Sequence, residues 1–186
     1  TAVGYVALST NTTGNLNSAF GRGALQVTTT GSSNVAVGTN ALSENTTGEC
    51  NTAIGVCALR VETTGANNTA AGFKSLSANT TGEANVAIGA CSMLANTTAT
   101  GGVALGADSL KANTTGATNT AIGRQALLTN STGSCNAGFG AFALLRTTTG
   151  VKNTAVGPSD TMKENTTGTQ NVAVGMLALT NNTTGS

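Results

Sequence analysis

The chain of 186 residues has no histidine, no tryptophan, one proline and one tyrosine, and its aromatic content is 3%. Without imidazole and with few acids or bases, general acid–base catalysis and soft-metal ligation have little to work with. Charged residues make up 8% of the chain and the formal net charge is +1, so neither a basic footprint for nucleic acid nor an acidic tail exists. Asp108 and Asp160 are the only aspartates and fall in different stretches of the chain, which argues against calcium-binding repeats. No apolar run reaches the roughly 18 residues that a membrane-spanning helix requires, so membrane insertion is not expected. Nothing in the composition calls for a cofactor.

What the chain has is periodicity. From Gly4 a glycine recurs every seventeen residues through Gly21, Gly38 and Gly55 to Gly157, and one inserted residue then carries the count to Gly175. The motif reads Asn-[Thr/Val]-Ala-[Ile/Val]-Gly-x-x-Ala-Leu-x-x-Asn-Thr-Thr-Gly-x-x, as in Asn51-Thr52-Ala53-Ile54-Gly55 and Asn79-Thr80-Thr81-Gly82. Such an array is one domain spanning 1–186, each copy a single structural unit, with the insertion at 158–162 expected as a bulged corner around Pro158.

Two glycines and a Thr-Thr pair per copy leave no stretch long enough for a helix. Short β-branched segments such as Val35-Ala36-Val37 and Val86-Ala87-Ile88 predict strands, and stacked copies predict an all-β, parallel β-solenoid of about eleven rungs, ~50 Å long at ~4.8 Å per rung. The expected core has two apolar columns: Val3, Phe20, Val37, Ile54 and their equivalents to Val174, facing Leu8, Leu25, Leu42 and theirs to Leu179 on a second short strand. Asn17, Asn34, Asn51, Asn68, Asn85, Asn119, Asn136, Asn153 and Asn171 are expected to form an axial amide ladder or else to shape turns.

The Asn-Thr-Ala-Ile-Gly and Asn-Thr-Thr-Gly strings resemble the repeats of phage and viral tail-fibre proteins and, more loosely, the head repeats of trimeric autotransporter adhesins. The resemblance covers the whole chain and implies a fibre with a virion, cell-surface or extracellular setting. The adhesin repeat is shorter and lacks the Thr-Thr-Gly turn, so a trimer is implied only by the looser likeness.

Three rows invite a chemical reading. Asn11, Asn45, Asn79, Asn96, Asn113, Asn130, Asn165 and Asn182 all satisfy the N-glycosylation acceptor pattern, as do Asn67 and Asn181. A sugar coat along one edge is one reading; turn chemistry, with Asn in αL and Thr hydroxyls on the backbone, is the other. The Thr pairs, such as Thr12-Thr13 and Thr46-Thr47, suggest an ice-binding surface, although adjacent residues on a strand point to opposite faces. Glu49 and Glu83 share a motif position two rungs apart, a weak basis for polysaccharide cleavage. Cys57 and Cys91 share a column, as do Cys50 and Cys135, but both pairs lie beyond the ~7 Å disulfide limit, leaving Cys50 with Cys57 as the one candidate bridge.

The expectation is a non-enzymatic fibre or adhesin-shaft module. The chain opens mid-motif at Thr1 and stops two residues short of restarting it, which suggests a processed or partial chain whose period continues by head-to-tail stacking or covalent extension. Trimerisation is the competing assembly if one flank of the rod is apolar.

Overall fold

The computed structural model describes residues 1–186 and contains strands and turns only. Its strands are β1 (Ala2–Val3), β2 (Ser18–Phe20), β3 (Val35–Val37), β4 (Thr52–Ile54), β5 (Thr69–Ala71), β6 (Val86–Ile88), β7 (Val103–Leu105), β8 (Thr120–Ile122), β9 (Ala137–Ala141), β10 (Thr154–Ser159) and β11 (Val172–Val174). They form one eleven-stranded parallel sheet in chain order, each strand pairing with the equivalent strand of the next copy, as in Val35↔Thr52 and Val37↔Ile54. The fold is a parallel β-solenoid.

The rest of each coil is turn, yet it is as tightly tied to its neighbours as the sheet. Of 123 backbone hydrogen bonds, 102 lie outside the strand ladders. On the side opposite the sheet Leu25 N donates to Ala41 O at 3.0 Å, and at the Thr corner Thr46 N donates to Thr63 O at 3.0 Å. Coils therefore stack through backbone bonds around their circumference.

No second strand carries the leucines. Leu8, Leu25, Leu42, Leu59, Leu76, Met93, Leu110, Leu127, Leu144, Met162 and Leu179 all adopt left-handed backbone, with φ between 47° and 53°. That conformation strongly disfavours β-branched side chains. The column accordingly holds Leu or Met and never Val or Ile.

The strand alternation also runs opposite to expectation. The second residue of each strand from β2 to β11, Ala in all but β9, points inward and is buried, while Val37, Ile54, Ile88 and Val156 are 38%, 48%, 45% and 40% exposed. A coil of this circumference has room for one large side chain across its width, and the Leu/Met column occupies it. Alanine is what fits opposite.

At the insertion β10 is lengthened and its register against β9 shifts between Val156 and Ser159, which pairs with Ala141. The extra residue is absorbed as a bulge where the strand meets the corner, and the ladder resumes undisturbed at Thr154↔Val172 on the other side.

Gly55 illustrates the turn glycines. Its φ is 133°, and an added Cβ would meet the Gly72 carbonyl oxygen of the next coil at 2.6 Å. Both conformation and space exclude a side chain.

Candidate functional site

The buried half of the coil beside the Ala/Leu core is polar, and it is built as two axial files. In the first, each Asn after the turn accepts on Oδ1 the backbone N–H of the next Asn: Asn51 N to Asn34 Oδ1 at 2.9 Å, Asn68 N to Asn51 Oδ1 at 2.9 Å and Asn136 N to Asn119 Oδ1 at 2.9 Å. Nδ2 of the same residues donates across to a glycine carbonyl, as from Asn34 to Gly48 O at 2.8 Å and from Asn51 to Gly65 O at 2.8 Å. Asn17, Asn34, Asn51, Asn68, Asn85, Asn119, Asn136 and Asn153 are all buried, and Asn171 is partly buried near the end of the array.

Gly102 breaks this file, and the gap is filled. Its N–H still donates to Asn85 Oδ1 at 2.9 Å, but a Cβ there would meet Met93 Cε at 2.7 Å. Met93 stands where most copies have Leu, and its longer side chain reaches into the volume that the missing Asn vacates.

The second file takes up eight of the ten sequon asparagines, while Asn67 and Asn181 lie outside it and are exposed. Asn45, Asn79, Asn96, Asn113, Asn130 and Asn165 are fully buried. Their Nδ2 atoms bond the carbonyl three residues on, as in Asn113 to Gly116 O at 3.0 Å, and the amide one coil back, as in Asn96 to Asn79 Oδ1 at 2.6 Å and Asn130 to Asn113 Oδ1 at 2.9 Å. Asn11 and Asn182 are half-buried in the first and last coils, Asn11 donating to Gly14 O at 2.9 Å and Asn182 to Asn165 Oδ1 at 3.3 Å. A sugar on Nδ2 would replace a donor proton and require space inside a packed coil. These asparagines are internal cross-braces.

Position 62 of the same file holds a carboxyl instead of an amide. Glu62 is fully buried and its Oε2 accepts from Asn79 Nδ2 at 2.6 Å and Asn68 Nδ2 at 3.2 Å. Burial pushes its pKa up from 4.5 to about 7, against the lowering pull of the Asn79 amide and the Gly65 backbone, with Glu83 adding to the rise. The motif alone signals this residue, since Glu62 stands where most copies place Asn.

The Thr pairs divide. The first Thr of each pair turns its hydroxyl to the next coil, as Thr46 Oγ1 does to Thr63 O at 2.8 Å and Thr29 Oγ1 to Thr46 O at 3.1 Å. The second, such as Thr47, Thr64 and Thr115, points to solvent in single file. Glu49 and Glu83 are both exposed. All four cysteines are free thiols, Cys50 and Cys135 exposed, Cys57 and Cys91 half-buried, and Cys135 Sγ lies 3.2 Å from Thr118 Oγ1.

These features define a class, a single-sheet β-solenoid whose interior is half aliphatic and half amide ladder. No family model matches the chain, nor does any curated protein or solved structure.

Proposed function

We propose that the protein is a structural shaft module of an extracellular, cell-surface or virion fibre, acting mechanically and without catalysis. The observation that carries this reading is the axial continuity of its bonding. Any coil presents to the next the donors and acceptors that it receives from the one before, on the sheet, the Leu side, the Thr corner and both amide files. An interface that repeats by translation along an axis does not close on itself and generates rods and filaments. The likeness of the Asn-Thr-Ala-Ile-Gly repeat to tail-fibre repeats supports the setting.

Further coils, whether covalent or contributed by another copy end to end, would dock through the same bonds. Negative-stain microscopy of purified protein tests this. Straight rods whose length comes in multiples of the ~50 Å expected for eleven rungs support the shaft reading. Compact or flexible particles would overturn it.

A further inference from the structure

The outward face of the sheet has a composition unlike the rest of the surface. Each strand turns its first and third residues out, and the third forms a file that includes Val37, Ile54, Ile88, Ile122, Phe139 and Val156. The first residues are Val, Thr, Ala or Ser. None of the 15 charged residues of the chain lies in either file, although charges occupy the turns on the other sides. At roughly 150–200 Å² per large apolar side chain, nine third-file residues exposed between 37% and 71% offer on the order of 700 Å². The first file brings the face to about the 800 Å² per partner that a stable interface buries. The third file is apolar throughout, while the first mixes Val and Ala with Ser18, Thr52, Thr69, Thr120 and Thr154; a charge-free, largely apolar face of this size marks a contact site.

We propose that this face is covered by the same face of other copies of the chain, sheet against sheet. The occupant must be apolar, uncharged and elongated, and its ridges must repeat at the ~4.8 Å rung spacing to interdigitate over the full length. Another copy meets all of these conditions by construction. Two inner sheet faces pack at ~10 Å through interleaved aliphatic side chains, and Val and Ile recurring in register from strand to strand provide that surface. This lateral contact differs from the axial contact of the shaft reading. Lateral packing saturates at a small number of chains, whereas axial contact lengthens without limit.

The test is the mass of the full chain by size exclusion with light scattering, compared with an Ile88→Lys/Ile122→Lys variant and a Thr47→Lys/Thr115→Lys control on another side. The expected result is a discrete particle of two or more chains that falls at least twofold in mass, to one chain, in the Ile variant and is unchanged in the control. A single-chain wild type, or an assembly that persists in the Ile variant, overturns the proposal. Growth in length that survives the Ile substitutions with an unchanged number of chains side by side would do so while leaving the shaft reading intact. Should the Ile variant fail to fold, hydroxyl-radical footprinting of the unaltered chain decides: protection of Ile54, Ile88 and Ile122 relative to Val56 and Phe73 is expected, and equal oxidation overturns the proposal.

Discussion

A buried carboxyl in a file of amides makes Glu62 sensitive to pH. It binds its proton more tightly in the folded chain, with a pKa of about 7 against 4.5. That preference stabilises the fold at low pH and is lost progressively as pH rises from 4.5 through 7, by up to ~3 kcal/mol. Urea unfolding at pH 5 and pH 8 should therefore find the protein more stable at the lower pH, and Glu62→Gln should remove most of the difference. Met93 and Gly102 provide a second expectation at this scale. Gly102→Asn alone should destabilise by ~1–3 kcal/mol, because the new side chain meets Met93 Cε. Combined with Met93→Leu it should recover that loss by completing the amide file, and a double-mutant cycle would read the coupling.

At the scale of the element, the leucine corner shows how backbone conformation limits side-chain choice. Leu59 has φ 47° and sits fully buried against the alanine column. Leu59→Met should cost less than ~1.5 kcal/mol, since Met occupies the equivalent places at 93 and 162. Leu59→Ile, nearly equal in volume, should cost clearly more, because branching at Cβ is poorly tolerated at positive φ. Thermal melts of the two variants make the comparison, and equal losses would contradict it. The glycine that follows the short strands is bound by a similar rule, as at Gly55. Its tight approach to the next coil leaves no room for the methyl group of Gly55→Ala.

For the whole molecule, stability is close to a sum over coils and their nearest-neighbour contacts. Pulling the chain by its ends should yield a regular sawtooth. One coil of seventeen residues would release about 55 Å of contour per step at ~3.3 Å per residue. A single cooperative rupture would show instead that the array unfolds as one unit. The ion pairs Arg60–Glu44 and Arg146–Glu164, at 2.8 Å and 2.9 Å, join successive coils on the surface. Their exposure makes them worth little beside the buried amide files.

The period, the absence of helix, the parallel stacking and the site of the bulge were legible in the sequence because each depends on local rules repeated in register: glycine at tight turns, β-branched residues in strands, one insertion at a corner. Which apolar file faces inward was not legible, since Thr52-Ala53-Ile54 alternates equally well in either orientation. The choice depends on the width of the closed coil, which admits the leucine of the opposite side and leaves only alanine-sized space at the sheet. The asparagines of the Asn-Thr-Thr-Gly turns carried the same ambiguity. The tripeptide pattern of an acceptor site is a property of three neighbours in sequence, but accessibility is set by stacking coils whose carbonyls and amides claim every donor of Asn96 and Asn113. Sequence by itself determined that the chain is a stack. Only the tertiary structure decided what the stack keeps inside and what it presents, because that depends on packing volume and hydrogen-bond closure across the coil.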